Sequence, residues 1–157
     1  MKLQLLIFIE TENVTSIKPL NINQMCYTVQ LECTSCRSKS ENNISIDPEN
    51  EDSIPDSRGT ANLVRKCECG LRCNIQVEPN QNFITDQESR EFYHLCTFEC
   101  RNVEIIKATP VGGWKFYREE SNFTFKGDLD DIPIIMVDNK GEACEVNSFE
   151  TKLIKTH

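Results

Sequence analysis

Cys33-Thr34-Ser35-Cys36 and, farther along, Cys67-Glu68-Cys69 are the residues of this chain best suited to chemistry. Close-set thiol pairs on two separate stretches build a tetrahedral all-thiolate cage, whose usual occupant is Zn²⁺. Four thiolates leave no position open for water or substrate, so such a site holds a fold together. Zn–S bonds of about 2.3 Å set neighbouring sulfurs roughly 3.8 Å apart, a separation that a curled C-x-x-C loop provides. Residues two apart on an extended strand lie about 6.6 Å apart. Cys67 and Cys69 therefore share a metal only across a sharp bend, which Gly70 makes accessible. Cys73, through Cys69-Gly70-Leu71-Arg72-Cys73, competes for the fourth ligand position.

Other chemistries for these thiols fare worse. A redox pair at Cys33/Cys36 wants a helix beginning at the motif, and no helical pattern follows it. Iron–sulfur ligation has enough thiols but nothing that selects it over zinc. Transient Cu(I) handling suits a C-x-C and surplus thiols. Cys96 and Cys100 share one strand face with Phe92, His94 and Phe98 and read as small buried hydrophobes. Cys26 and Cys144 have no spaced partner.

No catalytic constellation stands out. The only histidines are His94 and His157, which removes His-x-x-x-His hydrolase centres. His94 with Cys96 or Cys100 makes a dyad only of same-face strand neighbours, with no third group to orient them. Asp128, Asp130 and Asp131 read as acids of a polar turn, and Val111-Gly112-Gly113-Trp114 lacks the phosphate-loop pattern. Trp114, Phe116 and Tyr117 read as core.

The elements that must position the thiols are strands. In Lys2–Glu10, Leu3, Leu5, Ile7 and Ile9 alternate onto one face. Tyr27, Val29 and Leu31 alternate into Cys33, placing the first knuckle at a strand end. Ala61–Lys66 leads into the second knuckle and Asn74–Glu78 leaves it. Further strands fit Phe92–Arg101, Trp114–Arg118, Asn122–Lys126 and Pro133–Val137. Residues 40–58, with six acids before Arg58, read as a mobile solvated loop, and a short helix fits 86–91. Setting Leu6–Lys18 against Leu95–Lys107 matches Leu6/Leu95, Glu10/Glu99, Asn13/Asn102, Val14/Val103, Ile17/Ile106 and Lys18/Lys107. That echo predicts two related β lobes packed with pseudo-symmetry in one compact unit over 1–157, split near residue 88, with the knuckles in the first.

A net charge of −8 without a basic cluster argues against nucleic acid and against an acidic membrane surface as partners. The 157 residues are 38% hydrophobic, a core modest enough for a metal staple to matter. Nine cysteines and the sequons at Asn13, Asn43 and Asn122 would suit a secreted disulfide protein. The odd cysteine count, and a Leu3–Ile9 apolar run that meets Glu10 without a small-residue cleavage site, favour the cytoplasm, with or without the nucleus.

Taken together, these residues resemble the eukaryotic CXXC-motif-containing zinc-binding protein family. The likeness covers nearly the whole chain. It rests on Glu12-Asn13-Val14-Thr15 after the first strand, Cys33-Thr34-Ser35-Cys36, and Gly59-Thr60-Ala61 before Lys66-Cys67. Phe98-Glu99-Cys100-Arg101 and the Pro110 to Gly113 turn complete it. The resemblance implies a mainly β protein of two flattened barrel-like lobes with one zinc held by two cysteine pairs. Three features depart from the family pattern. The second knuckle is one residue short, Asn102 stands where the family usually has glycine, and Ile132–Asp138 replaces its acidic-aromatic segment. Ile75 and Val77 keep the family's spacing to the fourth ligand when that ligand is Cys69.

The expectation is a non-enzymatic, monomeric zinc-binding protein with ligands Cys33, Cys36, Cys67 and Cys69, presenting a surface to a protein partner. A thiol-based Cu/Zn-trafficking or redox accessory protein is the alternative. Cys36→Ser is expected to release zinc and lower the melting temperature, and Cys144→Ser to do neither.

Overall fold

The computed structural model describes residues 1–156 and is mainly β; His157 lies outside the described residues. The first strands are β1 (Lys2–Glu12), β2 (Ser16–Pro19), β3 (Cys26–Cys33) and β4 (Ile44–Ile46). Then come β5 (Asp52–Ser53), β6 (Thr60–Ala61), β7 (Leu63–Lys66) and β8 (Arg72–Pro79). After these run β9 (Tyr93–Arg101), β10 (Val103–Val111), β11 (Gly113–Arg118) and β12 (Phe123–Asp128). The chain ends with β13 (Ile134–Val137) and β14 (Ala143–Thr156). The alternation in β1 buries Leu3, Leu5, Ile7 and Ile9, and that in β3 buries Tyr27, Val29, Leu31 and Cys33. A period of two is what a strand with one face on a core requires.

The sheets follow a pseudo-twofold plan. The six-stranded sheet has the order β13-β14-β1-β9-β8-β7, and the two three-stranded sheets are β10-β3-β4 and β12-β11-β2. Exchanging β1 with β9, β2 with β10, β3 with β11, β4 with β12, β7 with β13 and β8 with β14 maps every one of these pairings onto another. The register agrees as well: Leu63 faces Ile75 as Ile134 faces Val146, and Lys66 faces Arg72 as Val137 faces Ala143. Both long strands end at a left-handed asparagine, Asn13 (φ 59) after β1 and Asn102 (φ 64) after β9. Their side chains make equivalent bonds, Asn13 Nδ2 to the Ala143 carbonyl at 2.7 Å and Asn102 Nδ2 to the Arg72 carbonyl at 2.9 Å. Asparagine is among the few L-residues that visit this region readily, so it substitutes for glycine at the corner.

Each three-stranded sheet lies over one end of the large one. Tyr27 of β3 meets Phe98 of β9 edge-on at 5.4 Å. On the other side Gly127 of β12 leaves room for Ile134 of β13 against Phe116. The three larger sheets each combine strands from before and after residue 88.

Two local expectations are corrected. Residues 86–91 form a turn, because the Asp86 carboxylate accepts from the Glu88 amide at 3.1 Å and so competes with a helix. Residues 40–58 are not wholly a loop. They contain β4, whose Ile46 is fully buried, and β5, which pairs with β6. Three further strands were not anticipated, β2, β10 and β14, and the last is the longest among the described residues.

Candidate metal centre

Cys33 ends β3 with its sulfur turned to the core face. The chain then curls back: Arg37 N–H donates to the Cys33 carbonyl at 3.1 Å with Arg37 at φ 63, presenting Cys36 beside Cys33. The second knuckle is the β7–β8 turn. Gly70 N–H donates to the Cys67 carbonyl at 2.9 Å, and Cys67 N–H to the Leu71 carbonyl at 2.8 Å. Gly70 sits at φ 94. This is the bend that the C-x-C spacing demands, and it turns Cys67 and Cys69 to the same side.

The four sulfurs of Cys33, Cys36, Cys67 and Cys69 lie within 4.8 Å of one another. Cys33 Sγ is 3.7 Å from Cys69 Sγ, and Cys36 Sγ is 3.6 Å from Cys67 Sγ. Those separations match the roughly 3.8 Å edge of a tetrahedral zinc–thiolate site, so the donor set and its spacing fit the ion. Cys73 is not among the four. It is buried, facing Arg65 across the β7–β8 ladder, and its pseudo-twofold mate is Cys144, which is fully buried. Both are core residues of equivalent strands.

The titration behaviour is that of thiols crowded around a place for a cation. Cys67 is lowered to about 6, chiefly by the Cys69 backbone amide and then by Ser38 and Cys36. Cys36 is lowered by the Ser38 side chain and amide. Cys69 goes the other way, to about 11: the Leu71 amide favours its thiolate, but the neighbouring sulfurs and desolvation outweigh that. Four adjacent negative sulfurs cannot all ionise unaided, and a divalent cation removes the conflict.

Ser38 is the residue that motif reading missed. Its hydroxyl lies 3.0 Å from Cys36 Sγ and 3.6 Å from Cys67 Sγ, bridging the two knuckles as an outer partner of the thiolates. A cleft of about 210 Å³ opens beside the site between Leu31, Ser38, Arg65, Leu71 and Cys73.

Fold and site together define a β protein whose two halves repeat one plan and of which, among the described residues, one half carries a four-cysteine metal centre. The description of the family "CXXC motif containing zinc binding protein, eukaryotic" matches residues 4–153, and the chain belongs to that family. A UPF0587 protein of Schizosaccharomyces pombe is 31% identical over 117 residues, covering 74% of this chain and 73% of its own. The CXXC motif containing zinc binding protein of Bos taurus is 25% identical over 126 residues, covering 79% and 78%. The crystal structure of C1orf123 superposes with a TM-score of 0.84 at 22% identity, covering 99% of this chain and all of that one. A hypothetical protein from Plasmodium falciparum gives 0.79 at 19% identity, covering 98% and 99%. These structures share the fold. The chain is thus a zinc-binding protein of this family.

Proposed function

We propose that the zinc is structural, that the protein is not an enzyme, and that it works by docking a protein partner along the free edge of β13. The closed thiolate set supports the first two parts, since four cysteines leave no coordination position for substrate. The observation that carries the third is the state of β13. It ends the six-stranded sheet, and Ile135, Met136 and Val137 are 60%, 41% and 61% exposed. Its pseudo-twofold mate β7 carries Arg65 and Lys66 and lies against the β5–β6 hairpin, both of which blunt an edge. An uncharged, uncovered edge is a template for strand addition.

Asp128, Asp130 and Asp131 precede β13 and the chain is at −8, so the fitting partner is an extended apolar segment flanked by Lys or Arg. The protein is taken to be a cytoplasmic monomer until that partner arrives. Elemental mass spectrometry tests the metal: one zinc per chain is expected, and its loss in Cys36→Ser. For the docking edge, a lysine-flanked Val/Ile peptide is titrated while amide shifts are followed by NMR. Shifts centred on residues 132–138, abolished by Ile135→Lys, are expected. Unchanged spectra, or equal binding by Ile135→Lys, would overturn the docking reading.

The exposure of Cys36 and Cys69 favours a second reading, metal trafficking, because an incoming ligand reaches their sulfurs from solvent. Zinc that exchanges within seconds with a competing chelator, or gives way to Cu(I), would select it over a structural ion.

A further inference from the structure

The pseudo-twofold plan assigns a counterpart to each zinc ligand. Arg118 ends β11 as Cys33 ends β3, and the buried alternation Trp114, Phe116, Arg118 repeats Val29, Leu31, Cys33. Four residues on, Asn122 is left-handed at φ 50 where Arg37 is at φ 63, which sets Ser121 in the place of Cys36. The β13–β14 turn repeats the second knuckle bond for bond. Asp138 N–H donates to the Glu142 carbonyl at 2.8 Å and Gly141 N–H to the Asp138 carbonyl at 3.2 Å, with Gly141 at φ 81. Asp138 therefore stands where Cys67 does and Lys140 where Cys69 does.

These positions are bridged without a metal. Arg118 Nε donates to Asp138 Oδ2 at 3.0 Å, and Arg118 Nη2 also meets Glu120, at 3.2 Å, and Glu142. Asp138 Oδ1 accepts from the amides of Lys140 and Glu142, each at 2.9 Å. Asn139 Nδ2 bonds the Ser121 carbonyl at 2.9 Å and Lys140 Nζ the Glu120 carbonyl at 3.1 Å. Arg118 Nη1 reaches the Asn13 carbonyl at 3.4 Å, just as Thr34 N–H reaches the equivalent Asn102 carbonyl at 3.4 Å. In the first half, by contrast, the hydrogen bonds between residues 33–39 and the 67–71 turn all involve a cysteine sulfur among the described residues.

We propose that the Arg118–Asp138–Glu142 cluster, with Glu120, is the metal-free counterpart of the zinc centre. It clamps the end of β11 to the β13–β14 turn as the metal clamps the end of β3 to the β7–β8 turn. Metal occupancy then controls order in one half only, and the ion cluster holds the other half as a fixed frame. A zinc-loaded protein that loses its metal opens around Cys33–Lys39 and the β7–β8 turn while the β11 end and the β13–β14 turn stay closed.

Hydrogen–deuterium exchange on the full chain, read by mass spectrometry with and without a strong zinc chelator, tests this. Chelation is expected to speed exchange in residues 34–40 and 63–72 by about tenfold or more and to leave 119–125 and 134–143 within about twofold. Arg118→Ala is expected to give the reverse pattern, with zinc stoichiometry unchanged. Glu142→Gln, which removes a half-exposed partner and leaves the guanidinium in place, gives a weaker form of the same pattern should Arg118→Ala not fold. Equal acceleration of both halves on chelation, or zinc loss from Arg118→Ala or Glu142→Gln, would overturn the proposal.

Discussion

Gly70→Ala isolates what the bent second knuckle contributes to metal binding. A Cβ at Gly70 would meet nothing within 4 Å, so the substitution brings no clash and acts only through backbone conformation. Gly70 sits at φ 94, well outside the small left-handed well near φ +50 to +70° that L-residues can enter. Alanine there costs about 1–2 kcal/mol, equivalent to about 5–30-fold in an equilibrium constant. Gly141 is its internal control, at φ 81 and also with nothing within 4 Å. Both variants carry the same kind of strain, but only Gly70 sets the spacing of two ligands. Zinc affinity measured by competition with a chromophoric chelator is expected to fall within that range for Gly70→Ala and to stay at the parent value for Gly141→Ala. Urea midpoints should drop for both. Unchanged zinc affinity in Gly70→Ala, or an equal loss in Gly141→Ala, would refute the claim that this turn geometry presents Cys67 and Cys69.

Cys36→Ser should release zinc and lower the melting temperature; the matched control is Cys26→Ser, since fully buried Cys144 would place a hydroxyl in the core on conversion to serine. Cys73→Ala should retain one zinc by elemental analysis, because Cys73 packs in the strand position that Cys144 fills in the half without metal-binding thiols. Ser38→Ala should weaken zinc by about tenfold in the same competition assay, as loss of an outer-shell partner commonly does. Asp138 is held at about 2, below its ordinary value, first by the Glu142 amide and also by Arg118. A lowered folded-state value means stability present above the ordinary carboxylate range and lost as pH falls through about 2. Urea midpoints from pH 6 to pH 2, taken in Cys36→Ser to keep zinc release out of the slope, should decline more steeply than in the double variant Cys36→Ser/Asp138→Asn.

β3, which carries the first knuckle, was legible because it alternates, as β1 and β11 do: each buries every second residue. The internal echo was legible too, through Asn13 and Asn102, whose side chains the corner needs. β14 escaped because a register break at Asn147 interrupts its alternation: Cys144 and Val146 are buried before it, and Phe149, Thr151 and Leu153 after it are only partly buried. β2 and β10 follow so closely on β1 and β9 that they read as corners. The thiol spacing pointed to the four cysteines that cluster, but the preference for Cys69 over Cys73 came from the resemblance, through the spacing to Ile75 and Val77, with Gly70 making the required bend accessible. Ser38 and the Arg118 cluster carried no motif at all. Their roles arise from elements that meet only when β7–β8 and β13–β14 fold back against the ends of β3 and β11.

Why the metal sits in the first half can be argued from magnitudes. The chain between the two knuckles there is roughly twice as long as between Ser121 and Asp138, and each doubling of a loop adds only about 0.6 kcal/mol of closure entropy. Loop length is therefore a minor term. The cores do not decide it either. Trp114 and Phe116 of β11 fill the positions of Val29 and Leu31 in β3, and Phe116 stacks on Phe125 at 4.9 Å. One step earlier in the same alternation the order reverses: fully buried Tyr27, edge-on to Phe98, stands where the second half has Gly112. An aromatic side chain buries about 150–250 Å², so that exchange offsets the gain. What differs is the closing cluster. The second half closes with ion pairs that contribute little net energy once desolvation is counted. A zinc site draws on an apparent binding energy of about 10–16 kcal/mol in small peptides. On the proposed structural role, chelation should therefore lower the urea midpoint more than Arg118→Ala does.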